Sequence, residues 1–314
     1  MTDGRRIDLV ALLDLEPIEV NLFRGSNPRS TWPQVFGGQV VAQAMVAACR
    51  TVEGRLPHSL HAYFILPGDT EAPIVYEVGR LRDGRTFSTR RVTAIQHGQP
   101  IFFMIVSFSK GEDGTIDFQE TTPRVPPPEQ FSPKKLRANP LIAAAPDAMR
   151  VLFEKDESQR RRPVDIRPVE VERFFGSKIA DGRTHAWVRV KAPLPDDPAI
   201  HQAALAYISD FTLLDGALAR EGTSFLSRDL VAASLDHAMW FHRPFRADDW
   251  LLYAHDSPNA NGGRALARGL FFKPDGTLVA TVAQEGVIRR RRPKAAPDRT
   301  AQDREPRKPG AGRR

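Results

Sequence analysis

Cysteine is nearly absent: Cys49 is the only one in 314 residues. One thiol excludes an intrachain disulfide framework and a cysteine-built zinc site, and it fits a reducing, cytoplasmic compartment. Long apolar runs are absent too. The longest, 101–108, suits a buried strand and falls far short of the about 20 residues that a helix needs to cross a bilayer. The first residues include Asp3, Arg5, Arg6 and Asp8 with no apolar core behind them, so no secretory leader is expected. No Gly-x-Ser-x-Gly elbow occurs, which argues against a serine-nucleophile hydrolase. His58, His61, His237 and His242 sit beside aromatics, but no carboxylate pattern completes a metal site around them. They read as packing or substrate-contact residues.

The body of the chain has no excess of positive charge. The formal net charge is +7, yet residues 289–314 hold 11 Lys/Arg against 3 Asp/Glu, leaving the body at −1. The segment 291–314, rich in Arg, Pro, Ala and Gly, buries too little apolar surface to fold and reads as a disordered basic tail. Its charge would allow contact with nucleic acid or anionic lipid; a solvated extension is the plainer reading. With 41% hydrophobic and 26% charged residues, the body is that of a soluble globular protein with room for two cores.

What is present is a duplication. Ile18-Glu19-Val20-Asn21-Leu22-Phe23-Arg24-Gly25 is echoed by Val169-Glu170-Val171-Glu172-Arg173-Phe174-Phe175-Gly176. Ser59-Leu60-His61-Ala62-Tyr63-Phe64 is echoed by Ser234-Leu235-Asp236-His237-Ala238-Met239-Trp240-Phe241. So long a period reads as two copies of one small α+β domain: 1–110, a connection 111–163, and 164–290. In the first copy, strands are expected at 18–23, 59–66, 74–80, 87–96 and 101–109, with a buried helix over 40–52. The connection is rich in proline and charge and carries a short helix near 141–153. In the second copy, strands are expected at 169–174, 185–191, 234–241, 250–255, 264–272 and 278–288. Asp197 as N-cap and Pro198 as first helical residue start a helix that runs to about Arg220.

Ile200, Ala203, Tyr207, Asp210, Leu214 and Ala217 fall at alternating spacings of three and four, which puts Asp210 in an apolar stripe. A carboxylate there is costly unless it is paired or hydrogen-bonded, so it is either a satisfied strut or a functional group. Aligning Gly38-Gln39 with His201-Gln202 sets Ala47 opposite Asp210, Ser59 opposite Ser234 and Ser107 opposite Gln284. Only the second copy then carries the acid. Alternation turns Gln284 inward among small apolar residues, or leaves it at a sheet rim. Ser234 opens a strand, where a serine often bonds locally.

At these residues the chain resembles the type II acyl-CoA thioesterases, the double hot-dog enzymes. The resemblance rests on Phe36-Gly37-Gly38-Gln39-Val40-Val41-Ala42-Gln43-Ala44, His58-Ser59-Leu60-His61-Ala62-Tyr63-Phe64 and Pro67-Gly68-Asp69. It continues through Leu81-Arg82-Asp83-Gly84, Phe87, Arg90-Arg91-Val92, Leu235-Asp236-His237-Ala238-Met239-Trp240-Phe241-His242-Arg243-Pro244 and Gln284-Glu285-Gly286. It spans about residues 8 to 290 and implies two fused hot-dogs, each a long helix wrapped by an antiparallel sheet, joined into one extended sheet.

The resemblance also implies hydrolysis of fatty acyl-CoA by water without cofactor or metal, with Asp210, Ser234 and Gln284 in the catalytic positions. Ser234 stands where some relatives carry Thr, and Leu66 where a basic residue is common. Asp210 is then the expected general base, with Ser234 and Gln284 holding its water. Oxyanion donors are expected among backbone N–H groups at a helix N-terminus or the Gly37-Gly38 turn. Gly37, Gly38, His61 and His237 are expected at the substrate. Arg82, Arg90 and Arg91 are expected at the phosphates of CoA, or as a solvated hairpin edge. A homo-oligomer is expected from the exposed sheet. Two rivals stand beside this reading: a non-catalytic acyl-CoA sensor, and a hot-dog enoyl-CoA hydratase, whose Asp/His loop motif is not found.

Overall fold

The computed structural model describes residues 7–28, 33–111, 114, 116–145, 162–225, 227 and 229–290. The basic tail, and the part of the expected 141–153 helix beyond 145, lie outside these residues. Of that helix, one turn at Pro140–Ala143 is described.

The first unit runs α1 (Leu9–Leu13), β1 (Glu16–Glu19), β2 (Leu22–Gly25), α2 (Gly37–Cys49), β3 (Leu56–Phe64), β4 (Ile74–Asp83), β5 (Phe87–Gln96) and β6 (Gln99–Ser109). Two short helices, α3 (Pro133–Arg137) and α4 (Pro140–Ala143), lie in the connection. The second unit runs β7 (Val164–Pro168), β8 (Thr184–Val190), α5 (Pro198–Ser209), α6 (Asp215–Arg220), β9 (Leu230–Ser234), β10 (Asp236–Phe241), β11 (Leu251–Asn261), β12 (Arg264–Phe272) and β13 (Leu278–Arg290).

Among the described residues, all strands join one antiparallel sheet in the order β1-β2-β4-β5-β6-β3-β10-β13-β12-β11-β8-β7, with β9 also paired to β13. The units meet at β3 and β10, in register Leu60↔Met239 and Ala62↔His237. α2 and α5 pack against each other inside the curve of the sheet. They run antiparallel: the Gly38 amide at the start of α2 meets Asp210 at the end of α5. α2 is buried from Gly38 to Ala48, as a breaker-free run of Val, Ala, Gln and Met allows. This is the double hot-dog architecture.

Four local expectations are corrected. Residues 18–23 form a hairpin rather than one strand, because Asn21 takes a left-handed φ of 61° and reverses the chain. Its echo in the second copy is no strand: Val171–Phe175 is a 3-10 turn closed by Gly176 at φ 85°, and the strand is Val164–Pro168. The Glu170 carboxylate pins the start of that turn to the His185 amide at 2.7 Å. The long second helix is two helices, since Thr212 at φ 63° breaks it after Ser209. Asp210 therefore caps α5 rather than lying within it, and the residue at that place on α2 is Arg50, not Ala47. The strand expected over 234–241 is split at Leu235. Ser234 pairs with Gly286, whereas Ser59 pairs with Ser107 and Trp240, so the two serines are not equivalent.

Candidate active site

A helix leaves its first N–H groups without intrahelical partners. α2 begins after Phe36, which offers no side-chain cap. A carboxylate from the other copy fills that role: Asp210 Oδ2 accepts from the Gly38 N–H at 2.8 Å. The approach is close enough to require glycine. A Cβ on Gly37 would stand 2.7 Å from Asp210 Oδ2, and one on Gly38 would stand 2.5 Å from the Tyr207 carbonyl.

The second carboxylate oxygen, Oδ1, accepts from Ser234 Oγ at 3.2 Å. Ser234 Oγ in turn accepts from Gln284 Nε2 at 2.7 Å. Ser234 arrives from the end of β9 and Gln284 from the middle of β13, neighbours in the sheet. The structure thus brings Asp210, Ser234, Gln284, Gly37 and Gly38 together across both copies.

Phe36, Tyr207 and Phe211 form an aromatic wall at the same helix ends, with Phe36 and Phe211 centroids 4.3 Å apart. Burial pushes the Asp210 carboxyl up to about 6, opposed by hydrogen bonds from Ser234, Gly38 and Gln284. The residue is still only part-buried, so water can reach it.

The other expected contacts lie elsewhere. Arg90 is 1% exposed and turned inward, where it donates to Thr51, the Arg82 carbonyl and Asp83. It is a strut of the hairpin and is closed to a phosphate. Arg82 and Arg91 are exposed on β4 and β5, which β6 and β3 separate from the strands of the Asp210 cluster. His61 is exposed on the sheet face away from the helices, edge-on to Trp240 at 5.2 Å.

His237 is 0% exposed, and both of its nitrogens are engaged. Nδ1 meets Gln284 Oε1 at 2.6 Å and Nε2 meets Ser209 Oγ at 2.8 Å. Its ring is taken up by Gln284 and Ser209. Ser209, next to Asp210 at the end of α5, is not among the residues that the sequence pattern singles out. No group of His, Cys, Asp and Glu among the described residues is arranged to hold a metal ion.

Two helices lying back to back in one continuous sheet define the class: a double hot-dog protein. Comparison with known proteins narrows it. A family model of acyl-CoA thioesterases matches residues 153–287, and one of the acyl-CoA thioesterase N-terminal domain matches 28–109. Acyl-CoA thioesterase 2 of Haemophilus influenzae is 40% identical over 283 residues, 90% of this chain and 97% of that protein. The crystal structure of acyl-CoA thioesterase II TesB2 from Mycobacterium marinum superposes with a TM-score of 0.71 at 41% identity, over 90% of this chain and 98% of that one. A hot-dog protein of unknown function from Alicyclobacillus acidocaldarius has the same fold at 20% identity, with a TM-score of 0.69 over 90% of this chain and 97% of that one. The chain belongs to the acyl-CoA thioesterase family, and it is an acyl-CoA thioester hydrolase.

Proposed function

We propose that the chain hydrolyses fatty acyl-CoA to free fatty acid and CoA at the junction of α2 and α5, with Asp210 as general base. The observation that carries this reading is the Asp210 carboxylate, bonded by the Gly38 N–H at 2.8 Å and by Ser234 at 3.2 Å, with Gln284 behind Ser234 at 2.7 Å. Thioester hydrolysis needs a positioned, partly deprotonated water and a stabilised oxyanion. A carboxylate whose pKa is raised to about 6 is a better base than an ordinary Asp and is still ionised at neutral pH. Ser234 and Gln284 hold the same water and fix its lone pair toward the carbonyl carbon. The thioester oxygen is set toward the start of α2, whose dipole favours developing negative charge.

The exposed outer sheet face, with Tyr63, Phe103 and Ile105, supports a homo-oligomer. Among the described residues no helix is long and apolar enough to cross a membrane. The lone thiol supports a cytoplasmic setting.

The test is CoA release from saturated acyl-CoAs of graded length, with hydration of an enoyl-CoA followed alongside. Equal release of CoA and free acid, without hydration, is expected. Binding without turnover at every length would make the protein a sensor, and hydration without CoA release would make it a hydratase.

A further inference from the structure

Behind the carboxylate stands a line of side chains, two of which, Ser209 and His237, have no role yet. Ser209 and His237 are 0% exposed and Gln284 is 1% exposed. Ser209 Oγ lies 2.8 Å from His237 Nε2, His237 Nδ1 lies 2.6 Å from Gln284 Oε1, and Gln284 Nε2 lies 2.7 Å from Ser234 Oγ. Ser234 Oγ ends the line 3.2 Å from Asp210 Oδ1. We propose that His237, held by Ser209, is a positioning residue that fixes which way round the Gln284 carboxamide lies, and through it the hydrogen bonds that serve Asp210. The inference rests on Asp210 acting as the base.

The direction of the line follows from donor and acceptor chemistry. An ionised Asp210 can only accept, so Ser234 gives it its proton. Ser234 Oγ then accepts from the Gln284 NH2, which turns Gln284 Oε1 toward His237. That oxygen only accepts, so His237 carries its proton on Nδ1. Burial pushes the ring down to about 4, which keeps it neutral near pH 7. Its Nε2 is then an acceptor, and Ser209 must donate to it. The rival acceptor for the Ser209 proton is the Ala206 carbonyl at 2.9 Å.

A carboxamide has the same shape either way round. Without a donor at Nδ1 nothing keeps it from turning over and presenting its carbonyl to Ser234. Turned over, it would take the Ser234 proton away from Asp210 and withdraw an N–H from the water. Tyr253 braces the line from β11, its hydroxyl donating to the Ser209 carbonyl at 2.7 Å. No charged side chain contributes to the His237 shift.

The experiment compares full-length wild type, His237→Phe, His237→Asn, Ser209→Ala and Asp210→Asn for kcat, KM and pH profile with one acyl-CoA. His237→Phe fills the space without a donor. Its kcat is expected to fall about 10- to 100-fold with KM within about threefold, the scale of a slightly misplaced group. Its acid limb is expected to move up in pH, because Asp210 loses help from Gln284. His237→Asn, which keeps an N–H toward Gln284, is expected to recover much of the loss, and Ser209→Ala to lose less than His237→Phe.

A folded His237→Phe with wild-type kcat would overturn the proposal, as would a raised KM at unchanged kcat, the mark of a direct substrate contact. If His237→Phe does not fold, the other two decide: a wild-type kcat in Ser209→Ala overturns the proposal, and a fall in Ser209→Ala with an active His237→Asn supports it. Asp210→Asn separates the two levels. Wild-type turnover there would remove the base itself, whatever the His237 variants do.

Discussion

The two ends of the paired helices can be compared directly. At one end, α2 starts without a cap of its own and α5 stops on Asp210; at the other, α5 starts on Asp197 and α2 stops on Arg50. Asp197 caps its own helix by accepting from the Ala199 N–H at 2.9 Å. Arg50 turns away to the Leu15 carbonyl and Asp14. Each end also pairs a histidine with a polar residue on the adjacent strand: His237 with Gln284 at 2.6 Å, and His58 with Ser107 at 2.8 Å. The second end opens on a cavity of about 880 Å³ lined by Cys49, His58, Lys110, His201 and Phe245, among others. Its helix-end carboxylate, Asp197, is engaged in capping its own helix, and the end of α2 there carries Arg50 instead of an acid. The difference teaches where the proposed base comes from. A helix start left uncapped in one copy is completed by an acid from the other, so the candidate site draws on both copies.

The comparison can be broken most sharply at the groups around the acid. Ser234→Ala and Gln284→Ala each remove a hydrogen bond to the acid or its water, and kcat should fall about 100-fold, with less change in KM. Ser234→Thr keeps the hydroxyl and should retain most activity. Steady-state CoA release checks all three.

The pH profile comes next. The acid limb of kcat/KM should lie near pH 6, with activity falling about tenfold per pH unit below it, because only ionised Asp210 is a base. The same shift has a stability side of definite sign. The folded pKa lies above the ordinary carboxylate value of 3.8, so the folded state binds the proton more tightly. The contribution of this group to stability is full below about pH 4 and is lost as pH rises through about 6. Asp210→Asn lacks that slope. Its melting temperature relative to wild type should therefore rise between those pH values, as thermal unfolding would record.

Smaller effects belong to the other end. Asp197→Ala removes the α5 cap and should cost about 1 kcal/mol in urea unfolding while leaving kcat unchanged. His58→Ala and Ser107→Ala should leave kcat within twofold of wild type. A large loss there would mean that the second end takes part in turnover.

Much of this was legible in the sequence, and the failures have physical causes. The breaker-free run after Gly38 announced a buried helix, and alternation in 278–284 turned Gln284 inward, where it lies 1% exposed. The stripe through Asp210 and Leu214 kept its spacing across a break that Thr212 makes by a left-handed turn, which periodicity does not register. The first echo misled because like sequences met unlike partners: residues 22–25 pair with β4, whereas 171–175 curl into a 3-10 turn. Arg90 looked available to a phosphate. On its strand it alternates inward, and Asp83, Thr51 and the Arg82 carbonyl satisfy it there. Nothing local could reveal that His237 faces Gln284, because that contact depends on how β10 sits against β13.

The most direct test of the central claim is CoA release by Asp210→Asn at pH 7.5, measured with acyl-CoA binding on the same preparation. The account predicts that turnover collapses by at least about 1,000-fold while binding persists, because the proposed base is gone. Turnover within a few-fold of wild type would contradict it and move the chemistry away from the junction of α2 and α5.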